Sequence, residues 1–121
     1  MTSKEVVAKF YEEVFNGWDI SNLDEYMLDT YKQHNPNVKD GKEGFKEFIT
    51  KFIQQEPHAE IYKLVAEDDM VVVFFKCSFK NGTAAKVFDM YRVENGKLAE
   101  HWDCVMGGVH DMVCVHDNGQ F

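Results

Sequence analysis

Apolar residues recur at helical spacing in the first third of the chain and at alternate positions through most of the rest. Val6, Val7, Phe10, Tyr11, Val14 and Phe15 lie three and four apart, on one stripe of a helix that Ser3 caps and Gly17 ends. A shorter helix is predicted from Ser21 or Asn22, with Leu23, Tyr26, Met27 and Tyr31 as its apolar side. The stretch Gln33-His34-Asn35-Pro36-Asn37 leaves helical structure, because a residue before proline is pushed towards extended conformations. A third helix runs from about Gly41 to Gln55 on Phe45, Phe48, Ile49, Phe52 and Ile53, and Pro57 prevents its continuation.

Four strands follow, at Ala59–Glu67, Met70–Lys80, Thr83–Glu94 and Lys97–Met106, separated by the turn signals Asp68-Asp69, Asn81-Gly82 and Asn95-Gly96. Helices first and a meander afterwards predict an α+β fold, with three N-terminal helices packed on one side of an antiparallel sheet. Residues 1–121 read as a single domain without repeats or linkers. Within it, 107–121 is a C-terminal tail of weak periodicity, lying over the domain or a partner.

Turn length decides which side chains share a face, since a slip of one residue moves a whole strand's side chains to the opposite side. Asn-Gly suits a two-residue loop or a three-residue turn with a bulged glycine. At Lys80-Asn81-Gly82 the longer loop sets Cys77 opposite Ala85, Phe75 opposite Val87 and Val73 opposite Asp89, and sends Lys76, Ser78, Lys86 and Arg92 outward. The shorter loop mixes charges into the apolar face, so charge segregation favours the longer one. The same rule at Glu94-Asn95-Gly96 sets Asp89 opposite His101, Val87 opposite Asp103 and Tyr91 opposite Ala99, with Glu100, Phe88 and Trp102 outside.

The result is an apolar wall interrupted by Asp89, His101 and Asp103, two carboxylates and an imidazole able to move protons on a small molecule. Each also has a structural reading, since buried Asp and His are commonly satisfied by tyrosines or backbone amides. His34 is a fourth catalytic candidate, on a loop that could close the pocket mouth; the bland alternative is an Asx-type turn. Tyr91, Asn35, Val73, Phe75, Tyr11 and Trp18 are candidate substrate contacts, Tyr11 and Trp18 being equally readable as core. Trp102 reads as packing on an outer face that a second subunit could cover. His101, Asp103, His110, Asp111, His116 and Asp117 are possible metal ligands, but no H-x-x-x-H helix or CxxC clamp fixes them, and no metal is expected. Cys104 should point away from His101, which argues against a Cys–His nucleophile.

Composition narrows the setting. The 121 residues are 45% hydrophobic and 14% aromatic, with ten Phe, which is globular rather than disordered. A net charge of −8 without a basic patch argues against nucleic acid. No stretch has the apolar length of a membrane span or secretory signal, so no membrane partner is expected. Three cysteines without a CxxC pair suit free thiols and a reducing, cytoplasmic location. No dinucleotide or P-loop fingerprint is present, so no cofactor is expected and the chemistry falls to side chains alone.

Tyr31-Lys-Gln-His34-Asn35-Pro36 with Asp40-Gly41, then Phe88-Asp89 through Arg92 to Gly96, then Glu100-His101-Trp102-Asp103, together resemble the SnoaL-like polyketide cyclase branch of the nuclear transport factor 2-like superfamily. The similarity runs from the first helix to about Val105. It implies a cone-shaped barrel of curved antiparallel sheet around three helices, with a deep pocket and frequently a homodimer through the sheet. Such cyclases close rings by an intramolecular aldol step without a cofactor, using an aspartate that Asp103 matches. His101, His34 and Asp89 would then orient substrate or stabilise an enolate. Two relatives fit less well. The ketosteroid isomerase base precedes a proline, a place held here by Asn35, which cannot abstract a proton. Limonene-epoxide hydrolase pairs its last-strand aspartate with an Arg–Asp couple, whereas Arg92 faces outward. The expectation is a cofactor-independent lyase or isomerase of aldol-cyclase, isomerase or dehydratase type on a small apolar carbonyl compound. The alternative is a non-catalytic ligand-binding or dimerisation domain.

Overall fold

A computed structural model describes residues Met1–Phe121. Helix α1 (Ser3–Phe10) is capped one residue earlier than expected, by Thr2 and not Ser3: the Thr2 hydroxyl accepts from the Glu5 amide at 3.1 Å, and the Glu5 carboxylate accepts from the Thr2 amide at 3.2 Å. This reciprocal pair satisfies two amides that the first helical turn would leave without partners. The helix continues through Tyr11–Phe15 as a widened π turn, closed by Asn16 N–H donating to the Tyr11 carbonyl at 2.7 Å.

The second helix is shorter than expected. Only Leu23–Tyr26 (α2) makes a turn, and Met27–Gln33 is a strand, β1. Met27 and Tyr31 are four residues apart, a spacing shared by one helical turn and two strand repeats, so periodicity alone could not separate them. A free strand edge decided it: β1 pairs in parallel with the last strand, and its buried Met27 and Tyr31 face the core. The fold therefore has two main helices rather than three, the second being α3 (Gly41–Phe52), which ends in a short 3₁₀ turn, Ile53–Gln55. None of these helices is long and apolar enough to cross a membrane.

The sheet is mixed rather than wholly antiparallel. Strands β2 (His58–Glu67), β3 (Met70–Ser78), β4 (Ala84–Glu94) and β5 (Lys97–Met106) form the predicted meander, and the full order is β1-β5-β4-β3-β2. Bulges interrupt the β2–β3 ladder between Ile61 and Lys63 and the β4–β5 ladder between Arg92 and Val93. Such insertions bend and twist a sheet, consistent with its curvature around the helices. The inner face carries Val71, Val73, Phe75 and Cys77 of β3 against α1, where Phe10 meets the rings of Tyr11, Tyr26, Phe45 and Tyr91.

The first Asn-Gly corner is the three-residue loop that charge segregation favours: Gly82 has φ +87°, and Cys77 faces Ala85 while Val73 faces Asp89. The second is not. Glu94 pairs directly with Lys97 across a two-residue loop in which Asn95 and Gly96 both have positive φ, 52° and 74°. The extra residue enters one step later as the bulge at Ala99, so Tyr91 opposes His101 and Asp89 opposes Asp103. Partners are displaced by two from the expected register. Two is one full strand repeat, so the side chains beyond the bulge, from Glu100 on, keep their predicted faces, while Leu98 replaces Lys97 opposite Val93 and turns inward.

The tail folds back across the outer sheet surface, where Phe121 stacks on Tyr62 with ring centroids 5.2 Å apart. Phe10 is 1% exposed, and truncating it to alanine is expected to cost about 3–5 kcal/mol. Urea unfolding of Phe10→Ala against the parent chain measures this loss.

Candidate functional site

Strands β4 and β5 bring Asp89, Tyr91, His101 and Asp103 onto the concave face, while the π turn continuing α1 supplies Tyr11, the end of β1 supplies Gln33 and the loop after it supplies Asn35. Asp89 is 5% exposed, yet its carboxylate is fully engaged. Its Oδ2 accepts from the Tyr11 hydroxyl and, at 3.3 Å, from that of Tyr91, while Oδ1 lies 3.2 Å from His101 Nε2. The two tyrosine hydroxyls are also 3.0 Å from each other. Burial first, then the negative charge of Asp89, raises both phenols well above their ordinary range, so they stay neutral donors. The same two causes push the Cys77 thiol up to about 12 and keep it unreactive.

Asp103 is held differently. Its Oδ2 accepts from Asn35 Nδ2 at 2.7 Å and lies 4.0 Å from His101 Nε2. The Asn35 amide cannot flip, because its Oδ1 accepts the Asn37 amide at 2.8 Å in an Asx turn. The other Asp103 oxygen, Oδ1, makes no hydrogen bond to the chain, and 13% of the side chain is exposed. Asp103 borders a cavity of about 320 Å³ with 14 hydrophobic residues among the 19 that line it. Phe10, Phe15, Phe45, Phe48, Phe52 and Phe75 form much of that wall, and no lysine or arginine reaches it.

The structure thus brings Asp89, His101 and Asp103 together and sets Asn35, Tyr91 and Phe75 on the same cavity. Tyr11 and Val73 lie beneath it, each at most 1% exposed. Trp18 is outside, at positive φ, its indole N–H donating to the Pro57 carbonyl at 2.9 Å. His34 is outside too: its ring stacks on Trp102 at 4.8 Å on the far side of β5, and its Nε2 is 2.7 Å from Glu100. Glu100 also accepts from Arg92 at 3.0 Å. The His34 bond foremost, helped by Arg92, holds the Glu100 carboxyl below its usual range.

Sequence reasoning missed Gln33 as a site residue and read the phenylalanines of α1 and α3 as core. A helix face packed into a core and one lining a cavity carry the same periodicity, so no local signal separates them. For a cation, Asp89, His101 and Asp103 form the one cluster of suitable groups, with candidate ligand atoms within 4.8 Å of each other. Two tyrosine hydroxyls and the His101 ring already surround the Asp89 carboxylate. In the tail, His110 is occupied by the sheet, its Nδ1 accepting the Ala84 amide at 3.1 Å.

The sequence model of the SnoaL-like polyketide cyclase family matches residues 5–105. The chain belongs to this family. Solved structures share its α+β, NTF2-like fold. TsrD from Streptomyces laurentii superposes with a TM-score of 0.71 at 23% identity, covering 85% of this chain and 87% of that one. A SnoaL-like polyketide cyclase from Agrobacterium tumefaciens gives 0.73 at 17% identity over 88% and 92% of the two chains. An NTF2-like protein from Cytophaga hutchinsonii gives 0.73 at 14%, over 88% and 91%. At these identities the likeness is one of fold. No curated protein matches the sequence.

The lowered Glu100 value has a direct consequence for acid stability. Because the folded-state value lies below the unfolded one, its stabilisation is complete above the ordinary glutamate range and is lost as pH falls through the folded-state value. Glu100→Gln is expected to flatten that part of the stability curve, read as urea midpoints between neutral and acid pH.

Proposed function

We propose that this protein is a cofactor-independent acid/base enzyme acting on an uncharged apolar carbonyl compound, with Asp103 as the group that takes and returns the proton. The observation that carries this reading is the contrast between the two carboxylates. Asp89 is engaged by two tyrosine hydroxyls and the His101 ring, whereas Asp103 is anchored through one oxygen, keeps the other without a hydrogen bond to the chain, and lines a cavity walled by phenylalanines. An aldol cyclisation needs little more. Asp103 Oδ1 accepts a proton from carbon next to a carbonyl, the resulting enolate carbon bonds to a second carbonyl of the same molecule, and the alkoxide so formed takes a proton back. No atom is gained or lost, and the aspartate ends as it began. The neighbouring His101 and the neutral tyrosines supply polarity for the enolate without adding a second base. Isomerase or dehydratase chemistry would begin with the same proton abstraction. The family relatives described as polyketide cyclases support the cyclase form, and the exposed apolar residues of the outer sheet, such as Phe88 at 47%, support a homodimer.

Proton abstraction is testable without the natural substrate. 2-Tetralone, a bicyclic ketone that suits the cavity, exchanges its α-hydrogens for deuterium in heavy water, followed by NMR. The parent chain should accelerate exchange over buffer, and Asp103→Asn should lose about 10²-fold or more while binding 2-tetralone within a few-fold of the parent. Binding without any acceleration by the parent would instead identify a ligand-binding domain. Acceleration undiminished in Asp103→Asn would remove Asp103 from the role.

A further inference from the structure

Gln33 sits at the end of β1, where the chain leaves the sheet for the loop carrying Asn35. Its own amide donates to the Asp40 carboxylate at 2.8 Å, which fixes the backbone at this point. Its side-chain Oε1 accepts the Asn35 amide at 3.0 Å and shares the His34 amide at 3.1 Å. Backbone N–H groups can only donate, so the atom they face must be the carbonyl oxygen of the glutamine and not its nitrogen. That same oxygen lies 2.7 Å from His101 Nδ1. An amide oxygen can only accept. Nδ1 of His101 therefore carries hydrogen.

The consequence appears on the other side of the ring. With Nδ1–H committed to Gln33, Nε2 of a neutral imidazole is a bare lone pair. It lies 3.2 Å from Asp89 Oδ1, and two bare acceptors would repel at that distance in a buried site. A proton must lie between them, either as imidazolium against carboxylate or as carboxyl against imidazole. The other groups around the ring are Asp103, 4.0 Å from Nε2, Tyr31, which stacks on it at 6.3 Å, and Tyr91, at 4.8 Å. Both tyrosines are held neutral by burial and by Asp89.

We propose that Gln33 is a positioning residue: it sets the His101 tautomer and so keeps one proton between His101 and Asp89, on the ring edge that faces Asp103. The catalytic value of that arrangement rests on the acid/base reading of Asp103. A proton held at Nε2 offers polarity next to an oxygen that must become an enolate, and it prevents the imidazole from acting as a competing base at that atom. The placement of the proton itself stands independently of any activity.

The test is nitrogen NMR of the full chain with ¹⁵N-labelled histidine. The parent should show a protonated Nδ1 on His101. Gln33→Met, similar in length and unable to accept well, should lose that Nδ1–H signature and shift the ring towards the Nε2–H form. Gln33→Glu, which restores an acceptor, should recover it. Backbone amide spectra report whether each variant remains folded. A bare Nδ1 in the parent would overturn the proposal whether or not any variant folds, as would unchanged His101 nitrogen shifts in a folded Gln33→Met. In the 2-tetralone exchange, Gln33→Met should lose roughly 10- to 100-fold, the size typical of removing a group that orients a working imidazole. Unimpaired exchange there would overturn the positioning role. Asp103→Asn separates the two readings, since it should lose exchange while keeping the His101 Nδ1–H signature.

Discussion

A carboxylate removed from water is destabilising by several kcal/mol unless donors replace its hydration, and Asp89 is the point where this fold meets that constraint. Two tyrosines and one imidazole surround it, each from a different place: Tyr11 from the π turn that continues α1, Tyr91 from its own strand and His101 from β5. The carboxylate therefore ties the first helix to the centre of the sheet by charge-assisted hydrogen bonds. Removing one donor leaves a buried charge short of partners, which costs far more than an ordinary surface bond. Everything on the concave wall is placed relative to this group. His101 is oriented by it on one ring edge, Asp103 lies opposite it across the β4–β5 ladder, and the cavity begins where its donors end.

The faces of the sheet were legible because strand parity is robust. The reading of the second Asn-Gly corner was one residue too long, yet the bulge at Ala99 inserted a residue of its own. Loop and bulge together leave the partner of Asp89 two positions further along β5 than expected. An error of one would have scattered the ionisable groups across both faces; an error of two leaves them together. Bulges are hard to anticipate, since the inserted residue needs only to fit, and Ala99, small and 2% exposed, gives no sign of it in sequence.

Helix two and the pocket wall were illegible for a different reason. Met27 and Tyr31 satisfy both periodicities, and only the unpaired edge of β5, a feature of the assembled sheet, selects the strand. His34 was drawn towards the site by its neighbours in sequence, but β1 places successive residues on opposite sides. Gln33 consequently reaches His101, while His34 turns to Trp102 and Glu100 on the outer surface. The same alternation that made the sheet readable, applied to a strand taken for a helix, would have identified Gln33 as the inward residue.

Two carboxylates on one wall become different chemical objects through their surroundings. Asp89 lies where helix and sheet close upon each other, so its lone pairs are spent on side chains that can only donate or share protons. Asp103, its direct partner across the β4–β5 ladder, stands two residues beyond His101 on β5, where the Asn35 side chain supplies its one hydrogen bond and it lines the cavity. The neighbouring elements thus separate the two: the carboxylate under the helix is tied to it by Tyr11, and the one beside the Asn35 loop keeps an oxygen without a hydrogen bond to the chain. The bulge at Ala99 sets this pairing as well as the bend of the strand, because the inserted residue decides which residue of β5 faces Asp89.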